Sequence, residues 1–217
     1  MRDRNAPLTP ADLDELAWDK MNGLLPAIVQ ERASGRVLMV GYMNREALAA
    51  TLGSGLATFF SRSKGRLWQK GESSGNRLLV SSVFADCDDD ALLIVADAAG
   101  PTCHTGSVSC FGEDAFEGPG WLADLSVVIR ERARAGDERS YTRQLLEAGT
   151  ARIAQKVGEE GVEVALAAVT RDPQDCAEEA ADLLYHLAVL MEDRGFAWED
   201  VVAVLKSRHA SANLTRA

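Results

Sequence analysis

FGEDAFEGPG, residues 111–120, marks the point where this 217-residue chain changes character. Gly112, Gly118, Pro119 and Gly120, interleaved with acids and aromatics, read as a linker, because glycine and proline break regular structure. Upstream, short β-rich runs are punctuated by Gly53, Gly55, Gly65, Gly71 and Gly75: VLMVGYM (37–43), LATFF (56–60), RLLVSSVF (77–84) and ALLIVA (91–96). Two helices accompany them. Thr9-Pro10-Ala11-Asp12 offers an N-cap, a proline at the first helical position and an acid at the third; Asn44 caps a helix over REALAATLG that ends at Gly53. Downstream, helical periodicity takes over. It predicts a helix over LADLSVVIRERARA ending at Gly136, one capped by Ser140 and stopped by Gly149, and a long one over 150–170. A fourth has Asp172 as N-cap and Pro173 in its first turn, and a last runs through WEDVVAVLKSRHA. The expected fold class is an α+β N-terminal domain, mainly antiparallel β with short helices, joined to an all-α helical-bundle C-terminal domain. The expected domains are residues 1–115 and 121–217.

An apolar fraction of 47% is that of a globular chain and argues against disorder. The net charge of −10 divides evenly: −5 for residues 1–118 (11 basic, 16 acidic) and −5 for 119–217 (12 basic, 17 acidic). No basic block exists to follow a phosphate backbone, so no nucleic-acid partner is expected. No run of about 18 apolar residues exists, so no membrane span is expected either. The N-terminus carries acids and prolines where a signal peptide needs an apolar core, which makes the cytoplasm the expected location. In a reducing compartment, clustered cysteines point to metal or catalysis before disulfides.

Three of the four cysteines lie in DCDDD (86–90) and PTCHTGSVSC (101–110); Cys176 stands alone and reads as a spare thiol on a helix. Cys87, Cys103 and Cys110 would suit zinc, and a missing fourth ligand would leave room for water, whose pKa zinc lowers to near 7. The spacings, 16 and 7 residues, are not those of a zinc finger, so a structural zinc or three unrelated buried thiols fit the pattern as well. His104 is a candidate ligand or base. If the strand before DCDDD continues through it, Asp86, Asp88 and Asp90 share one face and Cys87 points to the other. Oxygen ligands of that kind suit Mg2+; the plainer reading is an acidic turn. SRSKGRLWQKGESSGN (61–76) sets Arg62, Lys64, Arg66 and Lys70 among glycines, Ser73 and Ser74. That mixture fits phosphate, although it is no P-loop, and read alone it is a polar hairpin.

Taken in order, GLLPAIVQ, VLMVGYMNREAL, SRSKGRLWQKGESSGN, DCDDDALL and PTCHTGSVSCF resemble the phosphoribosyl-AMP cyclohydrolases of histidine biosynthesis, over residues 13–112. The resemblance implies zinc on Cys87, Cys103 and Cys110, with Cys87 and the other two contributed by different subunits of a homodimer. It implies Mg2+ on Asp86, Asp88 and Asp90. It also implies that zinc-activated water attacks C6 of the purine and breaks the C6–N1 bond, with His104 shuttling the proton. Arg62, Trp68, Lys70, Ser73 and Ser74 would bind the substrate.

The second half carries a different constellation. KVGEEGVEV sets Glu160 and Glu163 three apart and Glu159 and Glu163 four apart, with Lys156 one turn before Glu160; EEAADLLYH sets Glu179 and Asp182 three apart, with His186 four further on. Solvated acidic faces are common, but two facing helices with such pairs are a standard way to hold divalent ions. The strings SYTRQLLEAGTARIAQKVGEEGVEVALAA, EEAADLLYHLAVLM and LKSRHA resemble the phosphoribosyl-ATP pyrophosphatases, over residues 122–210. That resemblance implies Mg2+ on Glu159, Glu160, Glu163, Glu179 and Asp182, in-line release of pyrophosphate with Glu160 and Glu163 in the catalytic role, and phosphate contact by Lys156, with Arg208 and His209 as further candidates. Gly161 departs from the family pattern, which has alanine there. Two other readings share these features: a general nucleotide pyrophosphatase fused to a zinc nucleobase hydrolase, and a nucleotide-binding regulator with structural metals.

Overall fold

The computed structural model describes residues 3–112, 118–135 and 139–214, with side chains described to residue 210. Chain contacts divide it into two compact units, Met1–Gly120 and Trp121–Ala217. Residues 113–117 of the linker expected across 111–120, and the helix end expected at Gly136, lie outside the described residues.

The first unit contains β1 (Leu25–Glu31), β2 (Val37–Met43), α1 (Arg45–Ser54), β3 (Thr58–Ser61), β4 (Arg66–Gln69), β5 (Leu78–Ala85) and β6 (Leu92–Ala98). Four strands form one sheet in the order β2-β1-β6-β5, and β3 pairs with β4 in a separate hairpin. Alternation puts Leu25, Ala27 and Val29 of β1 and Leu92, Ile94 and Ala96 of β6 on one buried face, where they meet Leu48 of α1 and Phe59 of β3. Each large side chain so buried contributes about 1.5–3 kcal/mol. β1 was not among the expected strands, since Pro26 interrupts its apolar run. Its parallel pairing with β6 is the one departure from an antiparallel sheet. Two bulges shape the edges. On β2, Met39 faces Val29 and Val37 faces Gln30, leaving Leu38 as the extra residue. On β5 the register slips between Val80 and Ser82.

Thr9 and Asp12 form the expected start, with the Thr9 N–H donating to Asp12 Oδ2 at 2.7 Å, but the turn that follows is a short 3-10 helix, Pro10–Asp14. Asn44 accepts from the Ala47 N–H at 2.9 Å and starts α1. The helix does not stop at Gly53; it runs to Ser54 and is closed by Gly55 in the left-handed conformation at φ 69°. Gly71, in the polar hairpin segment, has φ +82°, and a Cβ there would lie 2.4 Å from the Asn76 carbonyl oxygen, so only glycine fits.

The second unit is all helix: α2 (Trp121–Arg134), α3 (Tyr141–Ala148), α4 (Thr150–Thr170), α5 (Pro173–Arg194) and α6 (Trp198–Leu214). Asp172 caps α5 by accepting from the N–H groups of Gln174 and Asp175 at 2.8 and 3.0 Å. Because only Arg171 and Asp172 separate α4 from α5, the two pack as an antiparallel hairpin. Ile129, Leu145, Ile153, Ala188 and Val189 make the core. A Cβ at Gly161, within α4, would meet no atom within 4 Å. Gly161→Ala is therefore expected to stabilise the helical unit by about 0.5–1 kcal/mol in a denaturant titration. A loss of stability would show that the position is closed by a contact outside this chain.

Candidate functional sites

The cysteine loop is fixed by the bulge on β2. The Cys110 N–H donates to the Leu38 carbonyl at 2.8 Å, and the Ser109 hydroxyl donates to the Val37 carbonyl at 2.8 Å. Within the loop, the Thr102 N–H donates to Val108 O at 3.2 Å and the Cys103 N–H to Ser107 O at 3.0 Å, which turns Cys103 back toward Cys110. Thr105 is the main influence on Cys103. Its hydroxyl donates to Cys103 Sγ at 3.0 Å, its backbone N–H and the Ser107 hydroxyl add to this, and the thiol is lowered from 9.0 to about 6. Cys110 moves the other way: burial pushes its thiol up, with the Cys103 charge adding and Lys70 opposing. His104 is exposed, its Nδ1 3.8 Å from Cys103 Sγ.

Cys87 lies elsewhere. It follows β5, the edge strand opposite β2, and three strand spacings of about 4.8 Å put those edges about 14 Å apart. Zinc–sulfur bonds of about 2.3 Å cannot span such a gap. Cys87, Cys103 and Cys110 accordingly do not form a group of converging ligand atoms within the one chain.

Cys87 instead groups with Asp86 and Asp88, their ligand atoms all within 4.8 Å of one another. This corrects the alternating-face reading of DCDDD. The strand ends at Ala85, and the segment is a turn in which Asp86 Oδ1 accepts from the N–H groups of Asp90 and Ala91 at 3.0 and 3.1 Å. Asp89 is left-handed, at φ 60°, a conformation that aspartate tolerates. Asp90 is not part of the Asp86–Cys87–Asp88 group.

The basic segment 61–76 is the β3–β4 hairpin and the turn after it. Arg62 lies over the Tyr42 ring of β2, 3.8 Å from its centroid, Trp68 packs on Phe59 at 5.2 Å, and Lys70 is near enough to Cys110 to act on its thiol. Ser73 and Ser74 are exposed on the turn. Three of the proposed substrate contacts, Arg62, Trp68 and Lys70, thus lie on the β2 side of the sheet with the Cys103–Cys110 pair.

In the helical unit Glu160, Glu179 and Asp182 bring ligand atoms within 4.8 Å of one another across α4 and α5. Glu160 is buried, its side chain 6% exposed, and Lys156 Nζ meets it at 2.7 Å. Glu159 points away into contacts with Lys156 at 3.0 Å and Gln155 at 2.7 Å, and Lys156 holds its carboxyl below the usual range. Glu163 is exposed but sits in the negative field of Glu160, which raises its carboxyl pKa, with burial and Glu179 adding. Arg208 and His209 are exposed on α6. A support the sequence reading left without a role is His186. It is buried, with Nδ1 2.8 Å from the Asp182 carbonyl oxygen and Nε2 3.1 Å from the Tyr141 hydroxyl. A carbonyl oxygen can only accept, so Nδ1 carries the proton directed at Asp182. The signal available was the four-residue step from Asp182 to His186; nothing in the sequence indicated Tyr141.

The donor sets fit metals on their own chemistry. A thiolate available near neutral pH beside a second cysteine suits zinc, and a buried carboxylate crowded by two others suits a hard divalent cation.

Residues 39–112 match the family model described as phosphoribosyl-AMP cyclohydrolase, and residues 122–209 match that described as phosphoribosyl-ATP pyrophosphohydrolase. The chain is similar to proteins named histidine biosynthesis bifunctional protein HisIE. It is 53% identical to that of Escherichia coli (strain K12) over 204 residues, covering 93% of this chain and 99% of the relative. It is 52% identical to that of Vibrio cholerae over 198 residues, covering 90% and 94%, and 50% identical to that of Yersinia pestis over 202 residues, covering 93% and 98%.

The lowered Cys103 thiol has a direct optical consequence. Above about pH 6 Cys103 is thiolate, and below it the proton returns. Thiolate absorbance near about 240 nm in the metal-free protein should therefore begin to rise with a midpoint near 6, and Thr105→Val should move that midpoint upward. A single rise near the ordinary thiol value would contradict the assignment.

Proposed function

Since this chain belongs to the family of bifunctional phosphoribosyl-AMP cyclohydrolase/phosphoribosyl-ATP pyrophosphohydrolase enzymes of histidine biosynthesis, we propose that residues 121–217 release pyrophosphate and residues 1–115 open the purine ring of the product. Chain order is then the reverse of reaction order.

In the C-terminal domain, Mg2+ held by Glu160, Glu179 and Asp182, with Glu163 and Glu159 at its margin, would neutralise the polyphosphate and favour in-line displacement. Glu160 and Glu163 orient the attacking water. Water's oxygen joins phosphorus and pyrophosphate leaves, producing phosphoribosyl-AMP. Lys156, already beside Glu160, contacts phosphate. His186 keeps the Asp182 turn of α5 in position by donating from Nδ1 to its carbonyl.

In the N-terminal domain, zinc held by Cys103 and Cys110 of one subunit and Cys87 of another would act as a Lewis acid that makes water nucleophilic near neutral pH. The width of the sheet between Cys87 and the Cys103–Cys110 pair is the observation that favours a homodimeric site. Arg62, Lys70, Ser73 and Ser74 hold phosphate and Trp68 lines the site. Oxygen is added to purine C6, the C6–N1 bond breaks, and the proton delivered through His104 ends on N1. The product is the phosphoribosyl-formimino-imidazole-carboxamide ribotide. Asp86 and Asp88, with Asp90 on the same turn, would hold Mg2+. Four free cysteines suit a reducing cytoplasm, and among the described residues no helix is long and apolar enough to cross a membrane.

The observation that carries this reading is the coexistence of a thiol pair, Cys103 and Cys110, in one unit and a carboxylate cluster, Glu160, Glu179 and Asp182, in the other, the two units being matched by two family models. With phosphoribosyl-ATP as substrate, Cys103→Ala should lose ring opening and keep pyrophosphate release. Glu160→Gln should lose pyrophosphate release by more than about 100-fold, the range lost even when a ligand's outer partner is removed, and should still open the ring when phosphoribosyl-AMP is supplied directly. Loss of both activities in either folded variant would contradict the two-site account, and preference for ordinary nucleoside triphosphates would contradict the substrate.

A further inference from the structure

The acidic turn of the N-terminal unit already holds a cation, and it belongs to the chain. Lys20 lies on a 3-10 turn, Trp18–Met21, far from DCDDD in sequence. Its Nζ is 2.8 Å from Asp88 Oδ2, 3.2 Å from the Asp88 carbonyl oxygen and 3.2 Å from Asp90 Oδ2. Three oxygens thus take the three hydrogens of the ammonium. The arrangement is pinned by backbone. The Ala17 N–H donates to Asp89 O at 2.8 Å, which ties the Lys20 turn to the acidic one, and left-handed Asp89 lets Asp88 and Asp90 both face Lys20.

We infer that Lys20 is a resident counter-ion of this turn, which a divalent cation must displace, so that Lys20 sets the metal concentration at which the N-terminal unit loads. The inference rests on the reading of Asp86, Asp88 and Asp90 as metal ligands. An ammonium and a divalent cation on the same Asp88 and Asp90 carboxylates repel one another, which opposes their joint occupation of the turn. Lys20 is exposed enough to leave, with 48% of its side chain accessible, and it borders an open cleft lined by Trp18, Asn44 and Arg45. Tethered by the Ala17–Asp89 bond, the released ammonium stays beside the site, within reach of a phosphate. The helical unit repeats the pattern with Lys156 on Glu160 and Arg171 on Glu179, both at 2.7 Å.

The test uses the full chain carrying Glu160→Gln and Asp182→Asn, so that Mn2+ binding followed by electron paramagnetic resonance reports the N-terminal unit. Lys20→Met should bind Mn2+ about two- to fivefold more tightly, as expected on removing an exposed competing charge. In the chain that keeps Lys20, saturating Mg2+ should raise acetylation of Lys20 severalfold relative to Lys206, read by peptide mass spectrometry. Equal or weaker Mn2+ binding by Lys20→Met, with binding still lost in Asp88→Asn, overturns the counter-ion role and leaves the metal site standing. No saturable Mn2+ binding with or without Lys20 overturns the metal reading of the acids, and the inference with it.

Discussion

One backbone irregularity positions the chemistry of the first unit. Where β2 inserts Leu38 between the partners of Val29 and Gln30, its edge accepts the cysteine loop through the Leu38 and Val37 carbonyls. The loop's own hydrogen bonds bring Cys103 toward Cys110, and the bulged edge fixes where that pair sits against the sheet. The same sheet keeps Cys87 on the far edge, after β5. A four-stranded sheet is too wide for one zinc to bridge, so on the proposed reading the thiolate pair of one chain would need its third cysteine from another.

The helical unit solves a different problem. Burying Glu160 is costly unless its charge is met. Lys156 meets part of it, and the raised carboxyl of Glu163 shows that negative charge remains in excess around α4 and α5. A divalent cation would relieve that excess and would in turn attract a polyphosphate. The two units are alike in one respect: the acidic groups proposed to hold metal are paired with lysine or arginine of the same chain.

Much of this was legible in the sequence. Asn44, Asp172 and the Ser140–Gly149 pair marked helix ends because caps are local hydrogen bonds between near neighbours. The three- and four-residue carboxylate spacings survive because helical periodicity is local as well; even so, Glu159 and Glu160 diverge, since neighbouring residues on a helix are about 100° apart. What failed was non-local or depended on where an element stops. The strand before DCDDD ends at Ala85 and does not continue through 86–90, which replaces a pleat by a turn and puts Cys87 with Asp86 and Asp88. The parallel β1–β6 pair, the bulge at Leu38, and the contacts of Tyr141 with His186 and of Lys20 with Asp88 join residues far apart in the chain, and no spacing rule encodes them.

The account stands on a thiolate site completed by a second chain, and subunit mixing tests it most directly. Chains carrying Cys87→Ala are unfolded and refolded together with chains carrying Cys103→Ala, and zinc content and ring opening are measured. Each mixed dimer then regains one intact site of two, so random pairing should restore about a quarter of the native zinc and activity from two inactive parents. If the mixture stays as inactive and metal-free as its parents while dimers form, the three cysteines do not share an ion across subunits, and the account is wrong.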